Sequence, residues 1–390
     1  MKDVNFLVGT ENVLNVPARP YNDMVCEFAN RLSSVLMNLK ATKDYPDIMS
    51  FAFWCRKANI TRLKQKYGPY DNRLGRGLTF HIAPSNIPVN FAFSFMFSLF
   101  AGNSNIVRVS SKPFPQVPII CDAIEKVFEE YPVLKARNAI VSYPSNSNLT
   151  ASFSAMADAR VIWGGDETIK QIRNMPSKPR CVDITFADRY SIAILNGEAI
   201  IDAEEEQMNK LAERFYNDTY LMDQNACSSP QSIFWMQDNR EARERFWKSI
   251  KSYVNQRYRL ESAVAMDKYI HLCEDIIEME SIQEAHHESN MLYRIELLNL
   301  PKDLTYLRGK NGYFYEFAIQ NLRALIPFIT EKFQTITYFG IKSDELQKFV
   351  IENEIRGIDR IVPLGDAMDI DVIWDGYDIV GTLSRIISTK

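Results

Sequence analysis

Between residues 78 and 195 short apolar runs alternate with longer segments of helical periodicity. Leu78 to Ile82, Asn105 to Val109, Ala139 to Ser142, Arg160 to Trp163 and Ser191 to Leu195 each read as a strand. Helices are expected between them: from near Pro88, over Ile119 to Glu130, around Ala151 to Ala157, and from Gly164-Gly165-Asp166 to Arg173. Proline suits a first helical turn. Ahead of this stretch, residues 20–66 read as helices, with Phe28, Leu32, Val35 and Leu36 at helical spacing, and YGPYDNRLGRG supplies turn signals. The alternation predicts an α/β fold with a doubly wound parallel sheet. Ligands of such sheets lie beyond the carboxyl ends of the strands. Asn86, Ser110, Ser111 and Gly164 fall just past strand ends and are candidates for cofactor contact.

Near Asp202 the pattern resets. A charged helix, AEEEQMNKLAERFYNDTYL, leads into the polar loop from Met222 to Pro230, and Ser232 to Met236 reads as a strand. Long polar helices are expected over about 238–288, and Phe333 to Phe339 as a strand. The boundary between lobes is placed near residue 196. The first domain is then 1–195, with the segment from about 366 to 390 expected to pack back on it, and the second is 196–365.

Composition narrows the function. A chain of 390 residues, 46% hydrophobic and 24% charged, has enough apolar surface for large cores without disulfides or a structural metal. A net charge of -4 with no basic block argues against a nucleic-acid partner. The start, MKDVNFLVGTENV, does not read as a secretory signal. The most apolar stretch, Ile87 to Ala101, falls short of the ~20 residues that a membrane span needs, so it reads as a buried helix. Six cysteines (Cys26, Cys55, Cys121, Cys181, Cys227, Cys273) show no CxxC and no zinc spacing. Reduced thiols and a cytoplasmic location are expected. His286 and His287 read as a solvated polar turn and not as metal ligands.

Three positions carry candidate chemistry. Cys227 lies in a polar loop whose amides, hydroxyls and backbone donors suit a thiolate, the nucleophilic form; the alternative is a small core residue. Asn86, in APSNIP, is placed either to donate to an oxyanion or to cap a helix. Gly164 and Gly165 let backbone approach a phosphate at a helix start, or simply form a tight turn.

Taken in order, five segments are more specific than any one of them. They are GLTFHIAPSNIPVNFAFSFMFSLFAGNSNIVRVSSK (77–112), ARVIWGGDETIKQIR (159–173), DRYSIAIL (188–195), DQNACSSPQ (223–231) and RIVPLGDAMDIDVIWDGYDIVGTLSR (360–385). With them the chain resembles the LuxC-type fatty acyl-CoA reductases, a branch of the aldehyde dehydrogenase superfamily. The resemblance implies an aldehyde-dehydrogenase-like fold, with a dinucleotide-binding first domain and a second, catalytic domain carrying the nucleophilic cysteine. Cys227 then matches the acylated nucleophile, and Asn86 matches the side chain that completes the oxyanion hole with the cysteine N–H. Arg108, Ser110 and Ser111 match the strand and loop that grip the adenosine ribose, and Gly164 and Gly165 the turn that approaches the pyrophosphate. Ser111 stands where NAD-preferring members carry a glutamate, which favours NADPH (NADP). Where hydrolytic members carry the base of a Glu-Leu-Gly-Gly segment, this chain has Asp183 to Asp188 (DITFAD), with no Gly-Gly and no glutamate, and Asp183 is a shorter carboxylate in a changed loop.

The reaction implied is NADPH-dependent reduction of an acyl-CoA or acyl-protein thioester to an aldehyde through an acyl-cysteine. An acyl-protein synthetase partner and a homo-oligomer are expected. Two alternatives stay open: an aldehyde dehydrogenase running toward acyl-CoA or acid, and an inactive scaffold on the same fold.

Overall fold

The computed structural model describes residues 4–390, the side chain of Glu288 excepted. Residues 1–3, the charged start of the segment read for a secretory signal, lie outside the described residues. The chain divides into two compact units, residues 1–188 with 371–390, and residues 189–370.

The first unit is built on β1 (Asn5–Val8), β2 (Arg73–Gly75), β3 (Leu78–Ile82), β4 (Ser104–Arg108), β5 (Asn138–Ser142), β6 (Ala159–Trp163) and β7 (Val182–Phe186). Its main sheet has the order β1-β5-β4-β3-β6-β7, parallel except for β1 at one edge. β2 pairs instead with Ser384–Ile386 from the end of the chain. The helices are α1 (Asp23–Asn38), α2 (Pro46–Trp54), α3 (Lys57–Tyr67), α4 (Asn90–Phe100), α5 (Gln116–Phe128), α6 (Pro132–Lys135), α7 (Leu149–Met156) and α8 (Asp166–Arg173). Phe80, Ile106, Val141 and Ile162 face Phe153 of α7 and Ile169 and Ile172 of α8. The strands are buried on both faces, as doubly wound parallel sheets require. α4 buries nearly every side chain, its apolar surface broken only by the polar stripe Asn90, Ser94 and Ser98. Among the described residues no helix is long and apolar enough to cross a membrane.

The second unit holds β8 (Tyr190–Asn196), β9 (Pro230–Met236), β10 (Ile282–Ser289), β11 (Leu292–Leu297), β12 (Tyr313–Ala318), β13 (Phe333–Phe339) and β14 (Arg360–Pro363). They form one sheet in the order β10-β11-β12-β9-β8-β13-β14, with β10 as its antiparallel edge. Helices α9 (Gly197–Asp202), α10 (Glu205–Asp218), α11 (Arg240–Arg257), α12 (Ser262–Glu278) and α13 (Ser343–Glu352) accompany it. One sheet face packs Ile192, Phe234, Ile295 and Ile336 with Leu272, Leu346 and Phe349. The other packs Ile233, Trp235 and Phe314 with Leu211, Phe215, Phe246 and Trp247. Glu316 is buried in this core, and its carboxylate accepts from Trp235 Nε1 (2.7 Å), Trp247 Nε1 (2.8 Å) and Arg294 (3.2 Å). A carboxylate buried there is tolerated because all three donors converge on it.

Three expectations need correction. The strand at 191–195 does not close the first sheet; it pairs with β9 and β13, so the chain divides at 188/189 and not near 196. A continuous apolar run buries equally well in either sheet, and only long-range pairing decides which. Residues 282–289 are a strand and not the end of a long helix, so His286 and His287 are not a polar turn. The returning segment is 371–390. Among the described residues, nine further strands were not expected from the pattern: β1, β2, β7, β11, β12, β14 and the short strands at 373–374, 377–378 and 384–386.

A polar ladder crosses the first sheet inside its core. His81 Nδ1 meets Ser94 Oγ (2.8 Å) and its Nε2 meets Asn105 Oδ1 (3.0 Å). Asn105 Nδ2 donates to Asn138 Oδ1 (2.8 Å), and Asn138 Nδ2 to the Leu134 carbonyl (2.7 Å). Burial holds the His81 imidazole neutral and pushes its pKa down to about 4 from 6.5. The unfolded chain therefore binds one more proton than the folded chain between about pH 4 and 6.5. Stability is complete above that window and is lost as pH falls through it. Lowering the pH from 7 to 5 should cost this protein about 2 kcal/mol through His81 alone. Urea unfolding of His81→Gln at the two pH values should show a correspondingly smaller loss; an equal loss would place the proton uptake elsewhere.

Candidate active site

In the first unit the sheet order makes β4, β3 and β6 neighbours. Asn86 follows β3, Arg108 ends β4 with Ser110 and Ser111 just beyond, and Gly164 and Gly165 follow β6. All six lie at the carboxyl edge of three adjacent strands. β4 lies to one side of β3 and β6 to the other, so the crevice between β3 and β6 is the topological switch point where such sheets bind dinucleotides.

The local geometry suits an anionic ligand. Arg108 sets its guanidinium 5.0 Å from the centre of the Tyr143 ring, and its buried Nε has no hydrogen-bond partner. Ser110 Oγ accepts from the Lys112 N–H (3.1 Å), which closes a small turn and leaves Ser111 exposed. Gly165 stands at the N-cap of α8 with φ -67°, an angle open to any residue. A Cβ there would meet nothing within 4 Å. Neither backbone strain nor packing demands a glycine at 165; what the glycine provides is open space over the turn. Asp166 and Glu167 in the first turn of α8 oppose a second anion, so a phosphate would rely on backbone N–H groups and not on helix charge.

Asn86 is exposed and lies ahead of α4. The residue at the N-cap position of α4 is Val89, whose own side chain makes no cap hydrogen bond.

Cys227 belongs to the second unit, in the loop that enters β9. It is half-buried. Burial pushes the Cys26 thiol up to about 11 and raises Cys55, Cys121 and Cys181 as well, which makes those four poor nucleophiles. The loop around Cys227 is tightly held. Asp223 and Gln224 both adopt left-handed backbone angles (φ 52° and 57°). The buried Gln224 side chain uses both ends of its amide. Oε1 accepts from the N–H groups of Gly312 (2.8 Å) and Tyr313 (3.1 Å), while Nε2 donates to the carbonyls of Tyr313 (3.1 Å) and Pro230 (3.4 Å). Tyr258 donates to Asp223 Oδ1 (2.5 Å), and Ser191 Oγ donates to the carbonyl of Cys227 itself (2.6 Å). Met368 Sδ lies 3.8 Å from Ser228 Oγ, and its turn is fixed by Asp218, which accepts from the N–H of Gly365 (2.6 Å) and Ala367 (2.9 Å). Gln224, Ser191 and Tyr258 were not singled out from sequence. A glutamine three residues before the cysteine is the one signal that pointed to them.

Asp183 is not free to act as a base. Its two oxygens accept from Arg160 Nε and Nη2 at 2.7 Å each, and Arg160 also donates to Ser154 and to the Ile172 carbonyl. Among the described residues Glu284, His286 and Glu296 form the one group of three metal-ligating side chains, with donor atoms within 4.8 Å. Arg243 lies 3.3 Å from the other oxygen of Glu296, so a cation there would face a guanidinium.

Solved structures of the same architecture fix the class. A bifunctional proline utilization A protein matches with a TM-score of 0.65 at 12% identity, covering 93% of this chain and 41% of that one. Lactaldehyde dehydrogenase from Escherichia coli matches at 0.59 and 11%, covering 87% and 78%. An NADP-dependent enzyme of E. coli matches at 0.62 and 12%, covering 93% and 82%. The fold is that of the aldehyde dehydrogenases.

A family model described as acyl-CoA reductase (LuxC) matches residues 56–386, and the chain belongs to that family. The long-chain acyl-protein thioester reductase of Aliivibrio fischeri is 29% identical over 168 residues, 42% of this chain and 33% of that protein. The protein of the same name from Photorhabdus laumondii is 21% identical over 326 residues, 82% and 64%. The matches thus span from a third to under two thirds of these relatives' length.

Asp183→Ala should lower stability by about 3 kcal/mol, because it strands the buried Arg160 guanidinium. Chemical denaturation measures it; a loss near zero would mean that the pair contributes nothing.

Proposed function

We propose that this protein reduces an acyl thioester to an aldehyde through an acyl enzyme on Cys227. The observation that carries the reading is the half-buried Cys227 on a loop immobilised by Gln224, Tyr258 and Ser191, in a chain of the LuxC family. The Cys227 thiolate attacks the thioester carbonyl with its backbone N–H as an oxyanion donor, and the family resemblance assigns the second donor to the Asn86 amide. The tetrahedral adduct collapses, the donor thiol departs, and the acyl group remains on sulfur. A bound nicotinamide cofactor supplies a hydride. When the aldehyde forms, Cys227 is the leaving group and returns to thiolate. One oxyanion hole serves both halves of the reaction.

Release as aldehyde and not as acid is supported by Asp183. The carboxylate nearest in sequence to the hydrolytic base is engaged by Arg160 on both oxygens. Without a base, water is a poor competitor for the acyl enzyme. That counts against the acid-forming alternative.

For the cofactor the reading is NADPH. Arg108, with its unpartnered Nε, and the exposed Ser111 lie at the end of β4, and Gly165 leaves open space over its turn. An E. coli enzyme of similar fold is NADP-dependent. For the acyl donor the reading is a long-chain acyl group on coenzyme A or on a protein, because the relatives are named long-chain acyl-protein thioester reductases. In the second case an acyl-protein synthetase is the partner that supplies it.

Cys227→Ser should abolish aldehyde formation from an acyl-CoA and leave NADPH binding unchanged, since a serine hydroxyl is far less nucleophilic than a thiolate near pH 7. Intact-mass analysis should show an acyl adduct on the native chain and none on the variant. Turnover retained by the variant would sink the covalent mechanism.

Ser111→Glu should shift preference toward NADH by weakening NADPH. A carboxylate at 111 repels a 2′-phosphate, whereas the serine hydroxyl donates to it. The ratio of kcat/KM for the two cofactors reads the shift. An unchanged ratio would mean that the phosphate is recognised elsewhere.

A further inference from the structure

α12 docks against its sheet in an unusual way. Its fully buried positions are Lys268, Leu272 and Asp275, spaced i, i+4 and i+7, so two of the three side chains facing inward are charged. Asp275 accepts from the hydroxyls of Tyr313 (2.5 Å) and Tyr315 (2.8 Å) on β12. Lys268 has a different task. Its ammonium donates to the carbonyls of Asn290 (2.9 Å), Asn311 (2.6 Å) and Gly312 (3.4 Å) and lies 4.5 Å from the centre of the Tyr293 ring. No carboxylate is within ion-pairing distance of it among the described residues. Taking an ammonium out of water to satisfy neutral carbonyls is costly, and a methionine would fill the same space without that cost. Packing alone therefore does not account for a lysine here.

Of the three carbonyls, those of Asn311, the most tightly held, and Gly312 lead toward Cys227. Asn311 and Gly312 have left-handed backbone angles (φ 56° and 83°), and at Gly312 a Cβ would lie 2.3 Å from the Met291 carbonyl. Such a turn is held in place from outside, by its hydrogen bonds. On the side facing the nucleophile loop, the Gly312 N–H donates to Gln224 Oε1 and the Asn311 N–H to the Asp223 carbonyl (3.2 Å). The Tyr258 hydroxyl bridges Asp223 and Asn311 (2.5 and 3.1 Å). A continuous set of hydrogen bonds thus runs from Lys268 through the 311–312 turn to Gln224, three residues ahead of Cys227.

We propose that Lys268 is a positioning residue for Cys227, acting through the 311–312 turn and the Gln224 amide. The proposal rests on Cys227 being the nucleophile. The ammonium touches no reacting atom. It fixes the turn that fixes the loop, and so fixes where the thiol stands relative to the thioester.

Lys268→Met removes the ammonium and keeps the length of the side chain. With an acyl-CoA and NADPH, its kcat should fall about ten-fold or more while KM for the acyl-CoA stays within about two-fold, since misplacing a reacting group lowers the rate and not ground-state binding. A purely structural role would lower the thermal midpoint and leave kcat of the folded fraction unchanged. Gln224→Met should act on the same link, so the double variant should be no more than about two-fold slower than the slower single variant. A Lys268→Met enzyme with kcat within two-fold of native, or single effects that multiply in the double variant, overturns the proposal. Should Lys268→Met fail to fold, Tyr258→Phe removes only the bridging hydroxyl and should lower kcat about three-fold or more at constant KM; an unchanged kcat overturns the proposal equally. Activity retained by Cys227→Ser overturns the reading beneath the proposal. Activity lost in that variant but kept in Lys268→Met overturns the proposal alone.

Discussion

The loop that carries Cys227, the nucleophile of the proposed function, must be held from several directions, because a loop carries no ladder of its own. Here the constraint is the Gln224 amide, whose oxygen and nitrogen reach two N–H groups and two carbonyls on either side of it. Those groups lie at Gly312, in a left-handed turn, and at the first residues of β12 and β9, Tyr313 and Pro230. One buried side chain satisfies these backbone groups, and the same bonds immobilise the approach to Cys227. The strand β9 that follows, the Ser191 contact to the Cys227 carbonyl and the Met368 turn held by Asp218 all depend on that loop having one conformation.

The first unit solves a similar problem through its sheet. Side chains along β3, β4 and β5 carry the His81–Asn105–Asn138 ladder across a core that is otherwise apolar. Each member finds a partner, so the ladder fixes strand register at little cost. That register places the ends of β4, β3 and β6 side by side, with Arg108, Ser111, Asn86 and Gly165 just past them. Cofactor recognition in this reading is a property of strand ends more than of any single motif.

Chemical outcome is set as much by what is withheld as by what is present. Arg160 engages both oxygens of Asp183, and the buried Cys55 and Cys121 have raised thiols. On the proposed function, these features disfavour activation of water by Asp183 and acylation of Cys55 or Cys121. What remains is a thiol on a rigid loop, which suits transfer of an acyl group to sulfur and its later reduction.

The sequence by itself determined the doubly wound first sheet, the turns at the carboxyl ends of its strands and the family, because strand-helix alternation and the segments around Asn86, Gly164 and Cys227 are local signals. Tertiary structure decided the rest. Strand 190–196 reads like any buried strand, and only its pairing with β9 and β13 assigns it to the second unit. Residues 282–289 have helix-like polarity but lie on an edge strand, where one face is wet and β11 supplies the ladder. Gln224, Tyr258 and Lys268 are ordinary polar residues in the sequence. Their roles come from hydrogen bonds to residues tens of positions away, such as Gly312 and Asn311, and long-range pairing of that kind leaves no periodicity along the chain.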